Sequence, residues 1–258
     1  MKIVACVKQV PGSQNVSFDS ETNRLKRDGI EMVMNPFDNY AVEQAMLVKE
    51  AVEGEVIALA MGPEQAESAL REAISCGADS GILLSDEAFG GSDSWATSYV
   101  LAKAIEKIGD VGLVFCGKQA IDGDTAQVGV GIAAHLGWAQ AAFVSAMPEI
   151  GDAAVTVRRM FEYGYDECRL NLPAVITVVK DINSPRIPSL RSRMASKKAE
   201  IPVWSNDDLG LDTAIVGLDG SPTRVTNIDR PEARKAETVL LDGTPGENAT
   251  NLIAELRK

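Results

Sequence analysis

The chain has 258 residues, of which 45% are hydrophobic, and its 37 acidic side chains outnumber 25 basic ones to give a formal net charge of −12. This apolar content excludes a disordered chain, and the acidic balance argues against binding to nucleic acid or to an anionic membrane surface. No apolar run reaches the roughly 18 residues that a membrane helix needs, so we expect no membrane insertion and a cytoplasmic protein.

The cysteines and the single histidine, His135, show no spacing that is typical of a metal site. Because the four cysteines lie tens of residues apart, we predict free thiols, a reducing compartment and no bound metal. The apolar run at 3–7 lies close to lysines on both sides and is too short for the core of a signal peptide. It is better interpreted as a first β-strand.

Short apolar runs alternate with helical patterns over the first 145 residues. After the strand at 3–7, a helix is predicted to begin at 35–38 (NPFD) and to end at Gly54. Further strands are predicted at 55–61, 81–84, 112–116 and 141–145, and helices around 69–74, over 93–108 and over 125–136. Apolar strands separated by helices predict an α/β fold with a mostly parallel sheet and helices on both faces.

The pattern changes after about residue 150. Strands are predicted at 154–160 and 172–180, and the turn residues between them at 162–166 indicate a hairpin-like insertion. Pro185 and Pro188 then interrupt regular structure. Weak strand signals and a short terminal helix at 248–257 follow, so we expect a core over residues 1–184 and an extension over 185–258 that ends in an arm.

The most informative segment is 117–129 (GKQAIDGDTAQVG), where a buried strand leads through a loop into a helix. Such a junction offers free backbone N–H groups and the positive end of a helix dipole, which suit an anionic ligand. Its glycines allow a phosphate to approach, and its polar side chains suit phosphate or ribose: Thr125 and Gln127 as donors, Asp122 and Asp124 as caps or acceptors. A capped turn without a ligand fits the same pattern about equally well.

Other segments carry weaker signals. Residues 89–94 (FGGSDS) match the pyrophosphate loop of ATP pyrophosphatases only weakly, because Phe89 replaces its first serine and the segment follows about the third strand instead of the first. The plain interpretation is a turn in which Ser92 or Asp93 caps the next helix. No Ser/His/Asp or Cys/His arrangement indicates a protein nucleophile. Any chemistry therefore belongs to a cofactor.

A basic segment over residues 185–200 contrasts with the rest of this acidic chain. It holds five basic residues and one glutamate, and Leu190 lies among them. A charge cluster is usually a solvated face, but an apolar side chain among cations and between prolines favours docking to an acidic partner.

The segment at 117–129, together with VKQV at 7–10, NPFD at 35–38, LPAV at 172–175 and PRIPSL at 185–190, closely resembles the beta subunit of electron transfer flavoproteins. The resemblance implies a Rossmann-like domain that binds an adenine nucleotide over 1–184. It also implies a partner-recognition loop and a C-terminal arm, which packs on an FAD-carrying alpha subunit, over 185–258.

Two cofactors are compatible with this resemblance. Classical members hold a structural AMP. Electron-bifurcating members hold a second FAD, which accepts a hydride from NADH and passes electrons to the alpha-subunit FAD, an acyl-CoA dehydrogenase or similar dehydrogenase, and ferredoxin or flavodoxin. The small residues at Gly90, Gly91 and Gly123 favour FAD, and AMP remains the alternative.

The resemblance also implies site residues. The nucleotide contacts are Cys6, Asn35, Pro36, Phe37, Asp38, Met61, Gly117, Gln119, Ala120, Asp122, Gly123, Asp124, Thr125, Ala126, Gln127 and Val128. An NADH loop would comprise Phe89, Gly90, Gly91 and Ser92, and partner docking would involve Arg186, Leu190, Arg191, Lys197 and Lys198. An enzyme of the ATP pyrophosphatase type and a stand-alone nucleotide sensor remain as competing hypotheses.

Overall fold

The computed structural model describes residues 1–12, 31–227 and 238–257, together with the backbone of 17–18 and 25–26. These residues form two compact units, Met1–Thr226 and Asn227–Lys258. None of the helices in the described ranges has the length and apolar composition needed to cross a membrane. The same ranges contain no group of three or more His, Cys, Asp or Glu side chains that could hold a metal ion.

The strands in chain order are β1 (Lys2–Cys6), β2 (Gln9–Pro11), β3 (Ser17–Phe18), β4 (Leu25–Lys26), β5 (Met32–Met34), β6 (Glu55–Met61), β7 (Ser80–Leu84), β8 (Val111–Gly117), β9 (Ala139–Ile150), β10 (Ala154–Phe161), β11 (Gly164–Asn171), β12 (Ala174–Val178) and β13 (Val203–Trp204). The helices are α1 (Pro36–Val52), α2 (Glu67–Ser75), α3 (Ser94–Ile108), α4 (Val128–Leu136), α5 (Leu190–Ser196), α6 (Asn206–Leu209) and α7 (Pro245–Leu256).

Nine of these strands form one sheet in the order β11-β10-β9-β12-β8-β1-β6-β7-β13. All neighbouring pairs from β9 to β13 are parallel, whereas β10 pairs antiparallel with both β9 and β11. The prediction of a mostly parallel α/β sheet is therefore confirmed. Two short ribbons, β2 with β5 and β3 with β4, lie outside it.

Alternate residues of β1 face two separate cores. Ile3 and Ala5 belong to the core that α1 and α2 cover, whereas Val4 and Cys6 belong to the core that α3 and α4 cover. Because both faces of the sheet are buried, the central strands are apolar along almost their whole length. Each fully buried side chain of this kind, such as Leu59, contributes about 2 kcal/mol relative to an exposed one.

Most predicted elements are observed within a few residues of their expected bounds, but α4 and the hairpin differ. The helix expected from residue 125 begins at Val128, because Asp124 and Ala126 have φ angles of 56° and 55°, which an α-helix does not accommodate. The hairpin is present, but β10 pairs with Gly164–Asn171 and not with the apolar run that follows it. That run forms β12, a separate parallel strand next to β8.

The two edges of the sheet differ in length and in side chains. At one edge, β13 contributes only Val203–Trp204. At the other edge, β11 is eight residues long and mostly exposed, and the end of its hairpin with β10 carries exposed apolar and aromatic side chains. These are Met160, Phe161, Tyr163 and Tyr165.

The unit over Asn227–Lys258 contains α7. Its helix begins at Pro245 and not at 248, because Thr244 and Glu247 form a capping box: the Thr244 N–H and hydroxyl donate to the Glu247 carboxylate at 2.8 and 2.7 Å. Leu252, Ile253 and Leu256 are exposed, and their spacing places them on one side of the helix.

Candidate functional site

The order of the strands places a topological switch point at the centre of the sheet, and we call the edge of the sheet at the carboxyl ends of β1 and β8 the crevice. β1 and β8 are neighbours, although the chain passes through β6 and β7 between them. From β1 the chain continues to β6 on one side, whereas β12 lies on the other side of β8. Open α/β sheets bind ligands at the carboxyl ends of strands where the direction reverses in this way. Cys6 and Gly117, two predicted contact residues, end these two strands.

Two buried thiols lie at the base of this crevice. Cys6 and Cys116 are register partners on β1 and β8, and both are free cysteines. A hydrogen bond with Cys6, and then burial, raises the pKa of Cys116 well above its usual value. A buried thiol with a raised pKa stays protonated and is a poor nucleophile, so Cys116 serves as packing.

Asp38 lies in the first turn of α1, against the end of β8. Its carboxylate accepts hydrogen bonds from the backbone N–H of Lys8 at 2.8 Å and from the side-chain amide of Asn35 at 3.0 Å. Burial raises the pKa of Asp38 to about 7, although these hydrogen bonds, the charge of Lys8 and the Gly117 backbone lower it. The crevice therefore holds a carboxyl group that changes its charge near neutral pH.

Gly117 allows β8 to approach α1 closely. A β-carbon at this position would stand 2.7 Å from the carbonyl carbon of Phe37 and would overlap the carboxylate of Asp38. No other residue fits without moving the start of α1. The packing of the chain alone thus accounts for this glycine.

Asn35 connects the start of α1 to the loop that follows β8. Its buried side chain donates to the carbonyl oxygen of Gln119 at 2.8 Å as well as to Asp38, and it accepts from the backbone N–H of Ile121 at 3.2 Å. These bonds fix the first half of the loop at 118–127. Among the predicted contacts at 35–38, Pro36 is the exposed residue.

Lys8 is a residue of the crevice that lies outside the predicted set. Its ammonium group contacts both carboxylate oxygens of Asp122, at 2.7 and 2.8 Å. The pair links the end of β1 to the same loop and neutralises one of its two aspartates. The sequence does contain a signal for this residue: Lys8 lies two residues beyond the first strand, at the edge of the sheet where ligands bind.

The second half of the loop, residues 121–127, is mostly exposed. The left-handed backbone at Asp124 and Ala126 is costly for residues with a β-carbon, and strain of this kind concentrates at binding sites. The side-chain amide of Gln119 donates to the Asp124 carboxylate. This bond supports a conformation that the local sequence does not favour.

The loop presents unused donors and open space. Among the described residues, none accepts a hydrogen bond from the backbone N–H of Thr125, Ala126 or Val128. A β-carbon on Gly123 would meet nothing within 4 Å. With the positive end of α4 at Val128, this donor set fits the phosphate groups of an adenine nucleotide.

An aromatic ring and a cation lie at the same edge of the sheet. Phe143 has a φ of 60° at an irregularity in the β9–β12 pairing, and its N–H donates to the hydroxyl of Thr177 at 3.0 Å. The ammonium of Lys118 lies 5.6 Å from the centre of the Phe143 ring. Sequence patterns gave no indication of this bulge, because one inserted residue leaves the apolar run unchanged.

The glycine loop at Phe89–Ser92 packs against residues 217–223 of the same unit. The backbone N–H of Leu218 donates to the carbonyl of Gly90 at 3.1 Å. Asp93 caps α3, and its carboxylate also accepts from the N–H and hydroxyl of Thr223 at 3.0 and 2.8 Å. Gly91 has a φ of 77° and a β-carbon there would lie 3.2 Å from Leu218 Cβ, which accounts for this glycine, although its surface stays exposed.

The remaining predicted contacts lie where the topology places them. Met61 ends β6 next to β1 and is half-buried. In the basic segment, Leu190 is 76% exposed at the start of α5, and Arg191, Lys197 and Lys198 are also exposed. The crevice and the basic segment are different sites, and α1 contacts both. The first turn of α1 carries Asp38 at the crevice, and later residues of the same helix bind Asn183 and Arg186 at the start of the basic segment.

Comparison with known proteins places residues 22–209 within a family model described as the electron transfer flavoprotein domain. The electron transfer flavoprotein subunit beta of Thermoanaerobacterium thermosaccharolyticum is 42% identical, over 99% of this chain and 98% of its own length. The caffeyl-CoA reductase–Etf complex subunit CarD of Acetobacterium woodii is 40% identical, over 100% and 98%. Protein FixA of Azorhizobium caulinodans is 40% identical, over 100% and 94%.

Proposed function

The chain belongs to the electron transfer flavoprotein family, among its beta subunits, and on that premise we propose that it forms a heterodimer with an FAD-carrying alpha subunit. Relatives that it matches over nearly their whole length are named as a beta subunit or as a subunit of an Etf complex. The exposed apolar side of α7 supports a role for the region after residue 184 in packing on that subunit.

We infer that the crevice between β1 and β8 binds an adenine nucleotide, and that this nucleotide is FAD, with AMP as the alternative. One observation carries the inference: the loop after β8 combines free backbone donors, an open glycine and a helix start at the topological switch point. When bound, FAD supplies one- and two-electron chemistry. The residues of this chain bind and orient it: the loop at 118–127 holds the phosphates, and Asn35 and Lys8 hold the loop.

The proposed electron donor and acceptors follow from the choice of FAD. NADH would reduce the flavin of this chain, which would pass electrons to the alpha-subunit FAD and to ferredoxin or flavodoxin. A relative named as part of a caffeyl-CoA reductase complex supports an acyl-CoA dehydrogenase or a similar enzyme as the further partner. We assign the docking of that enzyme to Leu190 and its basic neighbours.

The nucleotides released by denaturing the purified heterodimer test this proposal. Two FAD per heterodimer support the bifurcating version, whereas one FAD and one AMP support the classical version. Release of FAD from the alpha subunit alone, with no second nucleotide, contradicts a nucleotide site in this chain. Gly123→Trp fills the open side of the loop, and we expect it to lower the content of the second nucleotide.

The competing hypotheses predict different outcomes. An enzyme of the ATP pyrophosphatase type would release pyrophosphate from ATP and would contain no flavin. A stand-alone sensor would be stable as a homodimer without an alpha subunit. Full-length similarity to beta subunits favours neither.

A further inference from the structure

Arg186 belongs to the predicted docking residues, but its side chain is engaged within the chain. Its guanidinium donates to both carboxylate oxygens of Glu43, at 2.8 and 3.0 Å, and to Glu50 at 2.8 Å. Its backbone N–H also donates to Glu43, at 3.0 Å. The side chain of Glu43 is only 7% exposed. Such a bidentate pair in a largely dehydrated position holds a defined geometry.

A neighbouring residue attaches the same part of the segment to α1. The side-chain amide of Asn183 donates to the carbonyl of Tyr40 at 3.0 Å and to the side chain of Gln44 at 3.2 Å. Together with Arg186, it fixes the entry of the segment on one helix. We call this group of contacts the α1 anchor.

The exit of the segment is held by a different helix. Arg71 of α2 donates to the carbonyl oxygens of Ser196 and Ala199, at 2.6 and 3.3 Å. Glu67, one turn earlier on α2, binds the same guanidinium at 2.5 Å. A cation at these carbonyls satisfies the C-terminal end of α5 and complements its dipole. We call this group the α2 anchor.

An apolar ridge projects between the two anchors. Ile187 is 89% exposed, Leu190 76% and Met194 59%. Leu190 and Met194 are four residues apart on α5 and therefore share one face. A helix of seven residues has little stability of its own, so the anchors must supply its fixed orientation.

We propose that Arg186 and Arg71 are positioning residues that hold the ridge in its docking orientation, and that Arg186 does not itself contact the partner. The inference rests on the docking role in the proposed function. Rigid presentation reduces the conformational freedom that is lost on binding, so both anchors raise the affinity for a partner with an apolar pocket and an acidic rim.

The test uses the heterodimer with the full-length chain and two readouts. The first is the rate of trypsin cleavage after Arg191 and Arg193, which measures the order of α5 without any partner. The second is electron transfer from a short-chain acyl-CoA dehydrogenase, reduced by its acyl-CoA substrate, with KM for the dehydrogenase and kcat determined separately.

The variants separate charge from geometry. Arg186→Lys keeps the charge but loses the bidentate fork, and the double variant Glu43→Gln with Arg186→Gln avoids a buried unpaired carboxylate. We expect both, and Arg71→Gln, to accelerate cleavage and raise KM about tenfold with kcat retained, because a disordered segment binds more weakly. Glu50→Gln removes only an exposed contact and is the matched control, with less than about a twofold change.

Leu190→Ala distinguishes the docking role of the segment from the positioning role of the two arginines. If it raises KM while the anchor variants change neither KM nor cleavage, the positioning role is wrong and the docking role stands. If Leu190→Ala and the anchor variants all leave KM unchanged, the docking role fails and the effect of the anchors on affinity is overturned with it, even where the anchor variants accelerate cleavage.

Discussion

The backbone of Gly117 lies directly against the carboxylate of Asp38, so that a β-carbon on the glycine would overlap Asp38 Oδ1. The contact joins the end of β8 to the first turn of α1. It also places a carboxyl group with a pKa of about 7 at the crevice between β1 and β8. Packing and charge at the proposed nucleotide site therefore depend on the same pair of residues.

Gly117→Ala should destabilise the chain and empty the nucleotide site. The added methyl group must displace Phe37 or Asp38, and overpacking of this kind costs about 1–3 kcal/mol. Gly164→Ala is the matched control, because its β-carbon would enter open space away from the loop at 118–127. The measurements are urea unfolding and nucleotide content per heterodimer. Equal losses in the two variants would contradict the close packing at Gly117.

Asp38→Asn should remove a pH dependence of stability. Between about pH 4 and pH 7 the unfolded chain releases the Asp38 proton while the folded chain retains it, so wild-type stability falls as the pH rises through this window. The full effect is up to about 4 kcal/mol. The free energy of unfolding is measured at pH 4 and pH 7.5, and the wild type should lose more than the variant. Asp219→Asn, at an exposed position, controls for the loss of one charge.

Asn35→Ala should release the loop at 118–127. The Gln119 carbonyl and the Ile121 N–H lose their partner, and the buried carboxyl of Asp38 loses the Asn35 amide, which costs about 1–3 kcal/mol. We expect a lower stability and a faster loss of nucleotide on dilution. Lys8→Met breaks the other tether of the loop, an exposed ion pair, and should cost at most about 1 kcal/mol. An equal effect of both would argue against a special role for Asn35.

Leu190→Ala should weaken docking without changing the nucleotide content. Truncation of an exposed apolar anchor removes burial that forms only in the complex, and typical anchors cost at least about 2 kcal/mol. We therefore expect KM for the acyl-CoA dehydrogenase to rise by more than tenfold. Ile215→Ala, at another exposed apolar residue, should leave KM unchanged. Raised salt should weaken the wild-type interaction through Arg191, Lys197 and Lys198.

The elements that the sequence predicts well are those with complete local signals. α1 has Pro36 at its start, a regular apolar face, and Glu53 in a left-handed conformation before Gly54. β6 is buried on both faces and was predictable with its bounds, Glu55–Met61.

Other elements lack a local signal for physical reasons. β11 is exposed at the sheet edge, so its sequence shows no apolar alternation. The late start of α4 depends on left-handed residues that the Gln119–Asp124 hydrogen bond supports. Helix propensity is a property of single residues and does not include such a side-chain contact.

The sequence predicts where the residues of the candidate site lie better than it predicts which of them bind each other. Cys6, Asn35, Asp38 and Gly117 do gather at one crevice, as strand ends in a parallel sheet require. Hydrogen bonds between residues far apart in the chain could not be predicted from the sequence. Arg186 and Glu43 are 143 positions apart, and in the sequence Arg186 is one cation in a basic cluster.

The edge strand β11 has a consequence for preparing this protein. An eight-residue edge with Tyr163 and Tyr165 exposed nearby offers unpaired backbone groups to a second copy, whereas the two-residue β13 offers almost none. We expect the chain produced alone to self-associate through the β11 edge as its concentration rises. Lysine substitutions confined to Met160 and Tyr163 should raise its solubility, and co-production with the alpha subunit is the practical route to a homogeneous sample.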